Sequence, residues 1–397
     1  MPVATALHPA EPSNRSILDM PQLLHNARYR FLPLPIVATD PAEGQTYGVL
    51  PVLIALDNDE AIVSVFAAAS TYNTITRTGG FGNWLLTPSS DEELRLFGGA
   101  ATHAYREASA DYINRRWLCG HLNWAAHFLY IKDPFERFFG FGPRTEEDSG
   151  SNFTSALRRG SSTLSYEFIP HLAATGSVDY TRVTLLPHAI TTLPDTLTTY
   201  GTLPEVVPSN QILYQAGLRW DSRDSEFFPT HGLHASIMGL FSHAAEGPAA
   251  SFAGYNARMK FAWQPHPRWT TVGALRLQQL FGAYIPFYHQ SSLGGESELR
   301  GFVTRRFTDR HAVSLALEER ILVKEWSMMG TTVAFSIDPF FNMGQVFGHL
   351  SNLRPANLEP AGGLGFRMRA NPTVLGRVDL AYSRDGVAVY TTLDYPF

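Results

Sequence analysis

The chain has 397 residues, 44% hydrophobic and 17% charged, with a formal net charge of −5, against about 25% charged in a typical soluble domain. So much apolar surface excludes disorder, no run of about 18 apolar residues offers a spanning helix, and slight acidity argues against a nucleic-acid partner. The lone Cys119 excludes an intrachain disulfide, a CxxC redox pair and a cysteine metal cage.

Residues 1–30 lack the contiguous apolar core of 7–15 residues that an export signal needs. Residues 1–45 are expected to be a short N-terminal segment on the periplasmic side, with 1–26 as a flexible tail. From residue 46 onward two-residue alternation dominates, and no composition break marks a second domain. Sixteen strands are predicted, near 46–57, 61–73, 78–87, 93–107, 119–131, 153–168, 174–187, 211–223, 232–245, 251–264, 269–281, 311–324, 329–347, 357–370, 373–384 and 386–396. Turn chemistry separates most of them, as in LDNDE at 56–60 and SRDG at 383–386. Two connections are long, 188–210 and 282–310.

The alternation assigns the faces. In 251–264, Tyr255, Ala257, Met259, Phe261 and Trp263 oppose Asn256, Arg258, Lys260 and Gln264; in 311–324, Val313, Leu315, Leu317 and Ile321 oppose Ser314, Glu318 and Arg320. A soluble sandwich would alternate too. However, globular strands cluster near ~5–6 residues, whereas tilted membrane strands need ~9–11 and these segments are longer still. Aromatics such as Trp220, Trp263, Trp269, Tyr382, Tyr395 and Phe397 sit toward strand ends, as an interfacial girdle requires. An Arg or Lys turned to lipid at mid-bilayer costs about 2–4 kcal/mol, so Arg219, Arg258, Lys260, Arg320 and Arg377 are expected in the lumen. The fold class expected is all-β, a 16-stranded antiparallel transmembrane β-barrel over 46–397.

The stretch GAYIPFYHQSSLGGESELRGFVTRRFTDR at 282–310 is the most specific. Its LGGESELRGF, followed by LEER at 317–320 and FFNMGQVF at 340–347 and preceded by RWDSRDSEFFPTHG at 219–232, resembles the motif series of the BamA/TamA-type outer-membrane superfamily. The final strand GVAVYTTLDYPF also resembles that class's C-terminal assembly signal, carried here by Tyr395 and Phe397.

The resemblance implies that 282–310 is the sixth extracellular loop, folded back into the lumen, with Arg300, Gly301 and Phe302 as its lock. It implies lumen-wall partners Glu318, Arg320, Asp338, Phe340, Asn342 and Gly344. Glu318 is expected to supply the main anion, because the family's acid at F-x-D-x-G is Asn342 here and an amide gives no charge-assisted bond; Asp338 is a substitute carboxylate. The resemblance further implies a bacterial outer-membrane location, contact with outer-membrane lipid and lipopolysaccharide, handling by the barrel assembly machinery, and assistance in inserting or translocating a client polypeptide or lipid. Only about 45 residues precede the first expected strand, too few for one of the family's POTRA modules, so a barrel-only member is expected.

Three other functions compete. A passive outer-membrane pore, or a barrel that anchors or dimerises with a partner protein, would share the alternation but not the motif series. A lipid-modifying barrel enzyme is disfavoured, because His103, His121, His127, His234 and His243 are scattered and no G-x-S-x-G elbow appears. No enzyme activity, cofactor or metal is therefore expected.

Overall fold

The computed structural model describes residues 15–117, 122–226, 228–246, 250–328, 331–370 and 374–392. Its main sheet has eighteen strands, numbered here β1–β18. The first seven are β1 (Arg28–Asp40), β2 (Gly44–Leu56), β3 (Ile62–Asn73), β4 (Arg77–Leu86), β5 (Glu92–Ala101), β6 (Arg106–Trp117) and β7 (Leu122–Asp133). Then follow β8 (Thr154–Ile169), β9 (Leu172–Leu186), β10 (Ser209–Asp221), β11 (Gly232–Glu246), β12 (Phe252–His266) and β13 (Trp269–Phe281). The last five are β14 (His311–Met328), β15 (Thr331–Phe347), β16 (Glu359–Ala370), β17 (Val374–Ser383) and β18 (Gly386–Thr392). Each strand pairs antiparallel with its sequence neighbours, and Thr39 of β1 opposite Thr391 of β18 closes the ring.

The barrel therefore has eighteen strands where sixteen were expected, and both additions have physical causes. The first is β1, inside the segment expected to precede the barrel. Its outward Tyr29 and Phe31 and its inward Leu32, Leu34 and Ile36 make both faces apolar, and Pro33 and Pro35 interrupt it, so no polarity alternation marks it. The second is β6, most of which fell in the connection expected between the strands 93–107 and 119–131. The β5–β6 turn 102–105, THAY, has Ala104 at φ 60° in the left-handed position where glycine would usually signal a turn. After Arg106 the outward phase of β6 continues with the small Ala108 and Ala110. Adding two strands leaves residues 282–310 on the same side of the wall but makes them the seventh, not the sixth, odd-to-even connection.

Odd-to-even connections include the long ones, 134–153, 187–208, 282–310 and 348–358, while the opposite end has short turns such as 57–61 and 170–171. Long loops belong outside the cell and short turns in the periplasm. At the periplasmic end, the helix Met20–His25 is tied to the rim by Ile17 N donating to Glu92 and by an Arg15–Asp57 ion pair of 2.9 Å. Exposed apolar side chains, among them Tyr214, Leu218, Ile237, Met259, Trp263 and Leu275, cover the outer wall. Arg219, Arg258, Lys260, Arg320 and Arg377 occupy the opposite phase. Glu319, on the outward phase near the periplasmic end, accepts from Trp269 Nε1 and from Thr271 Oγ1.

On the extracellular side, three loops share one apolar cluster: Phe138 and Phe153, Val206, and Phe287, all buried. The 3.1 Å bond from Phe287 N to Glu205 O fastens two of them. His289 beside them is pushed down to about 3 by burial and by Arg159 and Arg305. It therefore stays neutral, with Ser209 Oγ 3.0 Å from Nε2.

Candidate functional site: the loop anchored in the lumen

Residues 282–310 leave β13, fold inward and return to β14. Ser291–Leu293 and Phe307–Asp309 pair as a small antiparallel ribbon, and the LRGF segment forms the tip between them. Phe302, Phe307, Leu293 and Leu299 of the loop join Ala312, Val346 and Ala361 of the wall in a buried cluster, with Phe302 edge-on to Phe307 at 5.1 Å. Gly344 makes this packing possible. A carbon added there would sit 2.7 Å from Leu293 Cδ1 and 3.0 Å from Val313 O.

Arg300 is 1% exposed. Its Nη1 lies 2.8 Å from Glu318 Oε2 and 3.4 Å from Asp379 Oδ2, and its guanidinium carbon stands 3.6 Å over the Phe340 ring. Such stacking adds a cation–π attraction of about 2 kcal/mol or more when desolvated. The Asn342 carboxamide, with its oxygen turned to Arg300, accepts from Nε at 3.3 Å and from the backbone N at 3.2 Å, and donates to Phe341 O at 3.1 Å. Gly301 has φ +105°, a conformation costly for any residue with a Cβ. Its carbonyl accepts from Ser383 Oγ at 2.6 Å, and its N–H donates to Tyr390 OH at 3.3 Å. Tyr390 in turn donates to Phe302 O at 2.8 Å.

The wall around Arg300 is an alternating charge lattice. Glu318 also faces Arg320 at 3.4 Å and Arg367 at 3.5 Å; Asp379 faces Arg367 at 2.5 Å and Arg377 at 3.5 Å. Asp338 pairs with Arg367 at 3.5 Å. The loop also contributes acids: Glu296 pairs with Arg377 of β17, and Glu298 with Arg276 of β13. Thus ESELR sends alternate residues to the wall as Glu, Glu, Arg, each meeting the opposite charge. A second loop arginine, Arg306, is equally buried. It pairs with Asp385, donates to Thr145 Oγ1 and O at 2.8 and 2.9 Å, and lies within 5 Å of the Phe139 and Phe307 rings.

The structure therefore brings Arg300, Gly301, Phe302, Glu318, Arg320, Phe340, Asn342 and Gly344 together. It places Asp338 one arginine away, while Tyr395 and Phe397 lie outside the described residues. Sequence reasoning missed Asp379, Arg367, Arg306 and Tyr390 as loop or lattice contacts. Asp379 was readable as inward from the Arg377, Asp379, Ser383 phase, but nothing in the pattern said that β17 would approach the loop tip. Among the described residues no group of three or more His, Cys, Asp or Glu is arranged to hold a metal. Tyr390→Phe removes one hydroxyl that serves two backbone groups. We expect it to cost about 1–3 kcal/mol and to lower the urea midpoint of the folded barrel; an unchanged midpoint would deny the hydroxyl this role.

A family profile described as the Omp85 superfamily domain matches residues 106–383, most of the chain. The chain belongs to the Omp85 superfamily. Its barrel resembles BamA from Haemophilus ducreyi lacking POTRA domains 1–3, with a TM-score of 0.56 and 14% identity over 94% of this chain and 77% of that one. It also resembles CdiB from Escherichia coli, with a TM-score of 0.50 and 12% identity over 91% of this chain but only 61% of that one. No curated protein matches the sequence. As an Omp85 barrel, the protein resides in the outer membrane of Gram-negative bacteria.

Proposed function

We propose that this Omp85 barrel assists the insertion or translocation of a client polypeptide at the outer membrane, working by strand opening rather than by catalysis. The observation that carries this reading is the 282–310 loop, fastened across the lumen by three crossed ion pairs to β13, β14 and β17, close to the junction of the first and last strands.

The chemistry of that junction supports it. Thr74 N of the β3–β4 turn donates to Gln45 O, so the odd residues of β2 turn toward β3 and the even ones toward β1. Register carries the parity across: Gly44 faces Asp40, and in β1 the edge turned away from β2 is that of Pro33, Pro35, Val37 and Thr39. Pro33 and Pro35 offer no N–H to a neighbour on that edge. A strand with two missing donors on the edge it turns to β18 pairs weakly, and weak pairing is what a client strand displaces.

The test uses the full chain in proteoliposomes and a urea-unfolded eight-stranded outer-membrane barrel as the probe client, with insertion followed by heat-modifiable gel mobility. In a Cys119→Ser background, Thr39→Cys and Thr391→Cys are added to bridge the junction. Reduced protein is expected to accelerate insertion several-fold over empty vesicles, and oxidation to remove the acceleration. No acceleration by reduced protein, or acceleration indifferent to the bridge, rejects the proposal. Large, steady conductance in planar bilayers with no insertion activity would establish a passive pore instead.

A further inference from the structure

The buried arginines around the loop all face carboxylates, but four cations on the outer wall face none. Arg106 of β6 lies directly opposite Lys132 of β7, and Arg158 of β8 directly opposite Arg182 of β9. Lys132 faces Ala156, which places it diagonal to Arg158 at about 7–8 Å. The four therefore form one continuous row across four adjacent strands. All lie on the phase of Phe128, Leu164, Val178 and Tyr180, which are exposed on the outer wall, and so they point away from the lumen.

Their height is that of the outer-leaflet headgroups. Arg106 opens β6 and Lys132 is the penultimate residue of β7, both at the extracellular end. Tyr130 and Tyr180 lie one alternation below, Arg158 standing 5.9 Å over the Tyr130 ring. From Phe168 at the periplasmic end, ten residues along β8 lead up to Arg158. At ~3.3 Å per residue and a tilt near 40°, that is about 25 Å, the height of the apolar band of such barrels.

Like charges directly opposite in a sheet destabilise it. Two such pairs stand side by side here, and among the described residues none of the four cations has an ion pair within this chain. The lumenal lattice shows how this fold neutralises its arginines when the counter-charge is its own. On the outer wall the counter-charge must come from outside, and at that depth only lipid is available. Below the row several outward positions carry little or no side chain. Gly160 sits between Phe128 and Tyr180, with nothing within 4 Å of where its Cβ would be. Ala108, Ala126 and Gly176 keep the neighbouring outward positions small, leaving a shallow apolar channel.

We propose that the outer wall of β6–β9 binds an outer-leaflet glycolipid carrying two phosphates, of the lipid A class. The Arg106–Lys132 pair would hold one phosphate, the Arg158–Arg182 pair the other, and the acyl chains would lie in the channel beneath. Guanidinium forks grip phosphate oxygens in pairs, and two cation pairs side by side select two anions over one. The site lies on the far side of the ring from the β1–β18 junction, so it stands whether or not that junction opens.

The test is native mass spectrometry of the detergent-purified full chain, titrated separately with diphosphoryl lipid A, monophosphoryl lipid A and phosphatidylglycerol. The unaltered protein is expected to retain one diphosphoryl lipid A, at least about tenfold more tightly than either of the others. The variant Arg106→Gln/Lys132→Gln/Arg158→Gln/Arg182→Gln is expected to lose that preference, while Arg158→Lys/Arg182→Lys keeps the charge and most of the binding. Gel mobility checks that each variant is folded. Equal retention of phosphatidylglycerol by the unaltered protein overturns the proposal without any variant, as does undiminished lipid A binding by the folded quadruple variant.

Discussion

Arg300→Ala is expected to loosen the lumenal loop, raising and destabilising the conductance of the barrel in planar bilayers and opening the loop to trypsin at Arg305 and Arg306. Removing one partner of a buried ion pair typically costs about 3–5 kcal/mol, because the other charge is left uncompensated. Here the remaining carboxylates are not stranded. Glu318 keeps Arg320 and Arg367, and Asp379 keeps Arg367 and Arg377. The loss therefore falls toward the lower figure and consists mainly of the loop's own attachments: the stack on Phe340, the bonds to Asn342 and the pair with Glu318. Glu296 and Glu298 still hold the loop to β17 and β13, so its tip is expected to loosen before the whole segment leaves. Conductance and tryptic pattern identical to those of the unaltered protein would show that Arg300 does not fasten the loop.

The larger effect on stability is expected from Asp379→Asn. This one carboxylate stands within 3.5 Å of three guanidinium groups, those of Arg300, Arg367 and Arg377. Taking its charge away leaves these three guanidinium groups with only Glu318, Asp338 and Glu296 to neutralise them in a site closed to water. A cost of about 3–5 kcal/mol is expected, read as a lowered urea midpoint in micelles. Because Glu318 shares Arg300 and Arg367 with Asp379, the double variant with Glu318→Gln should depart from additivity, by about 0.5–3 kcal/mol for residues in one network. Simple addition of the two single effects would show that the carboxylates act independently.

The contrast between legible and illegible elements has a physical basis. β12 could be read because its two faces meet different solvents: Tyr255, Ala257 and Met259 meet lipid, and Asn256, Arg258 and Lys260 meet the lumen. β1 could not be read, since Leu32, Leu34 and Ile36 make its inner face as apolar as its outer one. β6 was hidden by its small outward alanines and by a turn that uses Ala104 where glycine is the usual signal. At the site, the LRGF string and the inward phase of Glu318 were visible in the chain. The pairing with Asp379 was not, because it depends on how β14 and β17, separated by two intervening strands, curve around the loop tip. The wall register that sets this curvature is a property of the closed ring rather than of any one strand.

The cap over the extracellular mouth also sets an order of events in time. Thr145 bonds Arg306 across 161 positions of the chain and Arg384 across 239, and Arg144 bonds Asn357 across 213, whereas neighbouring strands zip through hairpins. Distant contacts must wait for the entropy of the chain between them to be overcome. The hairpins can therefore form progressively, but Arg306 finds Thr145 and Asp385 together only when the β7–β8 loop and the β17–β18 turn have both arrived, which makes that buried guanidinium a marker of completed biogenesis.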